Sequence, residues 1–136
     1  MEVNICSRRD AEKLLWKGFP AHLAVVAFHD PDLPPVAYPA GRAICVSLDD
    51  FQTNLPQAEE IARFIYAARA KGLDILCQCE RGRSRSVGCA AAIWEHFEGR
   101  GEALFYDARF SPDQLVYDRV LAALEAVAKD TRMDGK

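Results

Sequence analysis

The sequence has no apolar stretch of membrane-spanning length and no basic start followed by a long apolar core. These absences argue against membrane insertion and against secretion. The formal net charge is only −3 over 136 residues, which excludes an overall attraction to nucleic acid or acidic membranes. Internal repeats and low-complexity segments are also missing. We therefore expect one globular domain, residues 1–136, with no nucleic-acid partner.

Cysteine is present in an odd number, five, so the thiols cannot all pair within the chain. With no secretory signal, this favours reduced thiols and a cytoplasmic location. The spacing of Cys77, Cys79 and Cys89 is not that of a zinc pattern, and Cys77 is typical of a core position. We expect no metal and no cofactor. A reversible disulfide of Cys79 with Cys89 or Cys45 stays an open hypothesis.

Predicted strands alternate with predicted helices, which is typical of an α/β fold with a central, mostly parallel sheet flanked by helices. The strands are expected at residues 3–6, 22–28, 43–48 and 73–78. Helices are expected after the N-cap Ser7, from Pro56 to Gly72, from Ser86 to about Phe97, at 102–106, and from Ser111-Pro112 onward.

Two segments are expected to lie outside this regular structure. Four prolines between positions 31 and 39 predict that residues 30–41 form an exposed loop. Residues 130–136 are expected to be a disordered tail. Sites in parallel sheets form where strands end, so the loops that follow the third and fourth strands are the candidate places for function.

The most informative segment is the run Cys79-Glu80-Arg81-Gly82-Arg83-Ser84-Arg85-Ser86, between a predicted strand and a predicted helix. A strand, a tight loop and a helix N-terminus in this order direct backbone N–H groups and the positive end of the helix dipole at one point. An anion is stabilised there, so Cys79 is a candidate thiolate nucleophile. Arg85 can bind two oxygens of a phosphate with its planar guanidinium.

This run resembles the cysteine–arginine signature of the protein tyrosine phosphatase superfamily, and most closely that of its small dual-specificity-like and atypical members. Cys79 and Arg85 have the signature spacing, with Gly82 between them and Ser86 after them. A weaker resemblance extends from about residue 25 to about residue 124. It implies a metal-independent phosphatase that acts on a phosphorylated protein or a small phosphomonoester through a cysteinyl-phosphate intermediate.

Two other functions remain open. One is a pseudophosphatase, a module that binds phosphate or a phosphoprotein with little turnover. The other is an enzyme that uses the same kind of anion loop for arsenate reduction or sulfur transfer, which ranks last because the relay of extra thiols is only loosely present.

The resemblance also implies a role for each residue of the run. The backbone N–H groups that bind the phosphate oxygens would come from Glu80, Arg81, Gly82, Arg83, Ser84 and Arg85. The side chain of Arg85 would bind two oxygens, and Ser86 would stabilise the departing thiolate. The side chains of Arg81 and Arg83 are expected to face away from the pocket, although they could instead favour polyanionic substrates.

A general acid is implied on a loop that follows a strand upstream of the cysteine. Asp49 and Asp50 fit this place, 30 and 29 residues before Cys79. We favour Asp50, with Asp49 as the alternative acid. The other aspartate would start the turn or cap the helix at Pro56.

The run departs from the family pattern at three positions. Gln78 stands where the family usually has histidine, so the residue before the nucleophile carries no charge. Glu80 brings a carboxylate beside a dianion site, which is unfavourable unless it points outward or pairs with an arginine. Arg81 replaces a small residue. These departures predict an altered rate and substrate more than an altered chemistry.

Overall fold

A computed structural model of the protein describes residues 1–49 and 51–134, and side chains as far as residue 130. The four strands are β1 (Val3–Ser7), β2 (Leu23–His29), β3 (Ala43–Ser47) and β4 (Asp74–Cys79). The four α-helices are α1 (Arg8–Lys17), α2 (Ala58–Ala70), α3 (Arg85–Glu98) and α4 (Gln114–Asp134). A 3₁₀ helix at Gly101–Tyr106 occupies the position of the short helix predicted at 102–106.

The four strands form one parallel sheet in the order β1-β4-β2-β3. The predicted α/β fold with a parallel sheet is confirmed. All four strands have their carboxyl ends at the same edge of the sheet, and β4 is a central strand. The loop that begins after Cys79 therefore lies beside the segments that follow β1 and β2.

Helices cover both faces of the sheet, unequally. The larger core lies under α2, α3 and α4 and includes Phe28, Ile75 and Ile93. A smaller apolar cluster on the other face joins Val25 and Leu76 to Leu14 of α1. Burial on both faces explains why β2 is an almost continuous apolar run.

Polar caps begin two of the helices where the sequence predicts them. Ser7 Oγ accepts a hydrogen bond of 3.1 Å from the backbone N–H of Asp10 at the start of α1. Asp113 Oδ1 accepts one of 3.0 Å from Val116 N–H at the start of α4. Within the described part of the chain, no helix combines the length and the apolar character needed to cross a membrane.

The prediction of a disordered tail from residue 130 is wrong for residues 130–134, because α4 continues to Asp134. A helix extends by hydrogen bonds to its own preceding turn, and neither glycine nor proline interrupts the sequence before Gly135. Residues 135 and 136 lie outside the described residues.

The proline-rich segment 30–41 is irregular, as predicted, but it is not exposed throughout. Val36 is buried, and the Tyr38 ring packs edge-on against Phe19 with their centroids 6.1 Å apart. Arg8 Nη1 also donates a hydrogen bond of 2.7 Å to the carbonyl oxygen of Pro34. Dense prolines exclude helices and central strands, but they do not prevent a loop from packing against the sheet.

Candidate active site

Cys79 ends β4, and α3 begins at Arg85, so the sequence run folds as a strand, a loop and a helix. We call residues 79–86 the signature loop. The nucleophile candidate is buried, with 2% of its surface exposed. It therefore lies at the bottom of the loop rather than on the protein surface.

Gly82 is required by the shape of the signature loop. Its φ angle is +70°, in a region that side-chain-bearing residues rarely adopt. A Cβ at this position would lie 2.8 Å from both the carbonyl carbon of Cys6 and the backbone nitrogen of Ser7. The loop thus turns tightly against the junction of β1 and α1, where backbone atoms leave no room for a side chain.

Cys79 and Ser86 are brought together by this turn. The Sγ atom of Cys79 lies 3.0 Å from Oγ of Ser86, and Ser86 is fully buried in the first turn of α3. Burial raises the pKa of Cys79, but hydrogen bonds from the Ser86 hydroxyl and from the backbone N–H groups of Ser86, Ser84 and Gly82 outweigh it. The pKa of this thiol is therefore lowered, as expected of a nucleophile at a helix N-terminus.

For three of the other cysteines, the surroundings raise the pKa of the thiol instead of lowering it. Burial, with smaller effects of Asp10 and Cys79, raises the pKa of Cys6 to about 12. Burial also raises the pKa of Cys45. A hydrogen bond with Cys89 and then burial hold the pKa of Cys77 well above its usual range. Cys79 is thus distinguished from these three thiols by its surroundings, not by being a cysteine.

The sequence predicts no metal site and leaves a reversible disulfide of Cys79 with Cys89 or Cys45 as a hypothesis. Cys89 is buried, and Cys45 is exposed on the edge strand β3. All five cysteines are free thiols in the structure. Across residues 1–49 and 51–130, no three histidine, cysteine, aspartate or glutamate side chains are grouped closely enough to hold a metal ion.

Replacing Ser86 by alanine should move the titration of the Cys79 thiol to higher pH. The variant loses the side-chain donor that favours the thiolate, while the backbone donors remain. The measurement is the rate of iodoacetamide alkylation of the Cys79 peptide as a function of pH. Ser84→Ala is the matched control, because Ser84 reaches Cys79 only through its backbone N–H. Coincident profiles of Ser86→Ala and the unmodified protein would contradict this role.

Arg85 is held by one nitrogen of its guanidinium. Nη1 donates to Oδ1 of Asp30 at 2.9 Å and to the carbonyl oxygen of Leu48 at 2.7 Å. Among the described residues, no group accepts a hydrogen bond from Nε or Nη2. Because these two nitrogens form one edge of the planar fork, Arg85 has the geometry to bind two oxygens of an anion.

Asp30 was missed by the sequence analysis, which treated it as the start of an exposed loop. Its carboxylate is the ion-pair partner of Arg85, whose side chain is only 9% exposed. A signal was available, because Asp30 directly follows a buried strand and parallel strands end at the same edge. Sequence spacing alone could not show that β2 lies next to β4.

Gln78 connects the proline-rich segment to the signature loop. Its Oε1 accepts a hydrogen bond of 2.8 Å from the Tyr38 hydroxyl, and its Nε2 donates one of 3.1 Å to the carbonyl oxygen of Cys79. The side chain is buried, so both bonds are sheltered from water. Gln78 can therefore orient the backbone at Cys79 without carrying a charge.

The side chain of Glu80 pairs with an arginine that lies outside the signature loop. Its Oε2 lies 4.0 Å from Nη1 of Arg8, and the backbone N–H of Arg8 donates to the Glu80 carbonyl oxygen at 3.1 Å. The arginine partner that the sequence analysis required for this carboxylate is present. Arg81 and Arg83 are exposed, and Ser84 is the N-cap of α3.

Of the two candidate acids, Asp49 is described, and it follows β3 at the edge of the sheet where the signature loop begins. Asp49 is exposed, and its Oδ1 accepts a hydrogen bond of 2.9 Å from the Phe51 backbone N–H. Through this bond Asp49 starts the turn, which is the role expected of one of the two aspartates. Asp50 lies outside the described residues, and its assignment as the general acid stays a prediction.

Solved structures with the same fold are cysteine phosphatases. The chain resembles human DUSP28 at a TM-score of 0.59 and 19% identity, over 94% of each chain. It resembles DUSP15 at a TM-score of 0.63 and 17% identity, over 97% of this chain and 88% of that one. It resembles PTPMT1 in complex with PI(5)P at a TM-score of 0.59 and 12% identity, over 96% and 94%.

The chain therefore has the fold of the small protein tyrosine and dual-specificity phosphatases, as the signature run indicated. The likeness covers nearly the whole of this chain and most of each neighbour. No family model matches the sequence, and no curated protein matches it.

Proposed function

We propose that this protein is a metal-independent cysteine phosphatase that hydrolyses phosphotyrosine or other phosphomonoesters. The observation that carries the proposal is the lowered pKa of Cys79 together with an arginine whose Nε and Nη2 donate to none of the described residues. A thiolate and a bidentate anion ligand at one helix N-terminus suit attack on a phosphate. The phosphatase fold of the chain agrees with this chemistry.

The reaction would proceed in two displacements at phosphorus. In the first, the Cys79 thiolate forms a sulfur–phosphorus bond while the bond to the leaving oxygen breaks, and that oxygen takes a proton from Asp50, or from Asp49 as the alternative. In the second, water attacks phosphorus and gives a proton to the same aspartate. The thiolate then departs, accepting a hydrogen bond from Ser86.

The equatorial phosphate oxygens would be bound by the loop backbone and by Arg85. Their negative charge is stabilised by the N–H groups of residues 80–85, by the α3 dipole and by the guanidinium. Asp30 acts as a positioning residue in this scheme, since its carboxylate holds Nη1 and leaves the Nε–Nη2 edge of the guanidinium for the substrate. The reduced thiols agree with a cytoplasmic location, which belongs to the same proposal.

The test is to trap the intermediate. The protein is mixed with p-nitrophenyl phosphate and quenched in acid, and its peptides are analysed by mass spectrometry. We expect release of p-nitrophenol and the mass of one phosphoryl group on the peptide that contains Cys79. Cys45→Ser, an exposed cysteine on the edge strand β3, is the control and should be phosphorylated to the same extent.

A pseudophosphatase gives a different result. Calorimetry would then show phosphate binding to the intact protein, with no p-nitrophenol release at acidic, neutral or mildly alkaline pH. The departures at Gln78 and Glu80 motivated that alternative. In the structure Gln78 bonds to Tyr38 and to the Cys79 carbonyl oxygen, and Glu80 pairs with Arg8, which favours catalysis.

A further inference from the structure

A pocket of about 420 Å³ opens over the signature loop. The residues that line it are Asp30, Glu80, Arg81, Arg83, Ser84 and Arg85. Pockets that take small organic molecules measure roughly 300–1,000 Å³, so this one has room for more than a single phosphate group.

The carboxylates that line this pocket have basic partners, whereas two of its arginines have no acidic partner among the described residues. Its two carboxylates are already engaged, Asp30 with Arg85 at 2.9 Å and Glu80 with Arg8 at 4.0 Å. In the described part of the chain, the guanidinium groups of Arg81 and Arg83 have no acidic partner within ion-pair distance. Two cations that none of the described carboxylates neutralises therefore line the pocket of a protein whose formal net charge is −3.

One phosphate dianion does not need these two cations. The loop N–H groups, the start of α3 and the free edge of Arg85 already supply its ligands. Arg81 and Arg83 flank Gly82, whose fixed turn holds their backbone in place. Their side chains are exposed, so they can reach an anion above the loop without losing a protein partner.

Resting on the proposed phosphatase activity, we propose that Arg81 and Arg83 bind a second anionic group of the substrate. The substrate class is then a compact organic molecule with at least two phosphate groups, one over Cys79 and one at the two arginines. Such a molecule could be free in solution or the headgroup of a lipid, since both offer the same phosphate oxygens. The site would discriminate against molecules with a single phosphate.

The test compares kcat/KM for a vicinal inositol bisphosphate with that for the matching inositol monophosphate. We expect the bisphosphate to be preferred by at least about tenfold, since hydrogen bonds to charged groups have that strength. In the double variant Arg81→Ala/Arg83→Ala, the ratio of kcat/KM for the bisphosphate to kcat/KM for the monophosphate should fall toward one. The ratio of the two substrates is the readout, so a general change in activity does not affect it. Arg63→Ala/Arg119→Ala removes the same charge from exposed positions on α2 and α4 and should keep the preference.

A second arm makes the same comparison on phosphatidylcholine vesicles that contain either the corresponding bisphosphorylated inositol lipid or its monophosphorylated counterpart. A preference for the bisphosphate only on vesicles supports the inference with a lipid source, and a preference for the free bisphosphate supports it with a soluble source. A ratio near one in both arms, or a preference that survives in Arg81→Ala/Arg83→Ala, overturns it.

The failure of this inference can be told apart from failure of the proposed function. If p-nitrophenyl phosphate is hydrolysed but the ratio is one, only the inference fails. If no substrate is hydrolysed, the proposed activity fails, and calorimetry with the inositol bisphosphate still decides the inference. Binding that weakens at least about tenfold in Arg81→Ala/Arg83→Ala supports it, and equal binding overturns it.

Discussion

Replacing Cys79 by serine is expected to reduce kcat for p-nitrophenyl phosphate by at least about 10⁴-fold, since loss of a covalent nucleophile can cost on the order of 10⁶-fold. A serine hydroxyl is not ionised at neutral pH, so the favourable surroundings of Cys79 would have no anion to stabilise. The Ser86 hydroxyl and the loop N–H groups lower the pKa of the thiol because they bond to its anion. The measurement is steady-state kinetics with p-nitrophenyl phosphate.

The control for this variant is Cys45→Ser, which makes the same substitution at an exposed residue of β3. It should retain the activity of the unmodified protein. Circular dichroism of Cys79→Ser should confirm that the fold is intact, because serine is close in size to cysteine. If the two variants hydrolyse the substrate at the same rate, Cys79 is not the nucleophile.

The second large effect is expected from Arg85→Lys, which should lower kcat/KM by about 10²- to 10³-fold. Losing one hydrogen-bond donor that stabilises the charge of the transition state usually costs this much. The guanidinium bonds to Asp30 and the Leu48 carbonyl through Nη1. None of the described residues accepts a bond from Nε or Nη2, so in the proposed reaction these two nitrogens bind the phosphate. A lysine ammonium is a single centre, so it cannot keep both anchors and still present two parallel N–H groups. Positive charge is conserved, and the test therefore isolates the planar fork.

Arg63→Lys is the matched control, since Arg63 is an exposed arginine of α2 that pairs with Glu59. It should keep the kcat/KM of the unmodified protein. Thermal unfolding of Arg85→Lys separates loss of phosphate binding from loss of structure, because Asp30 and Leu48 also depend on this side chain. A kcat/KM of Arg85→Lys equal to that of Arg63→Lys would show that bidentate binding is not used.

Much of the candidate site was predictable because its residues are contiguous. Cys79, Gly82, Arg85 and Ser86 lie within one strand, turn and helix start, and their mutual geometry depends mainly on local backbone conformation. In the structure Gly82 has a positive φ and Cys79 contacts Ser86, while the roles of these residues stay predictions. The general acid was inferred from position alone, and Asp50 stays a prediction.

The residues that the sequence did not reveal form hydrogen bonds with side chains that are distant in the sequence. Asp30 reaches Arg85 over 55 positions, and Tyr38 reaches Gln78 over 40. Both come from a proline-rich segment that has no regular periodicity, so no pattern linked them to the signature loop. Their partners depend on the strand order, which places β2 beside β4.

By itself, the sequence determined the alternation of strands and helices, the parallel sheet and the position of the signature loop with its candidate nucleophile, because these depend on local periodicity and short spacing. Only the tertiary structure decided which nitrogen of Arg85 is engaged and that the Glu80 side chain pairs with Arg8. It also decided that Arg81 and Arg83 have no acidic partner among the described residues. The physical reason is that the charge and hydrogen-bond state of a side chain depends on groups brought to it from distant parts of the chain. Those groups meet only when the strands assemble into the sheet.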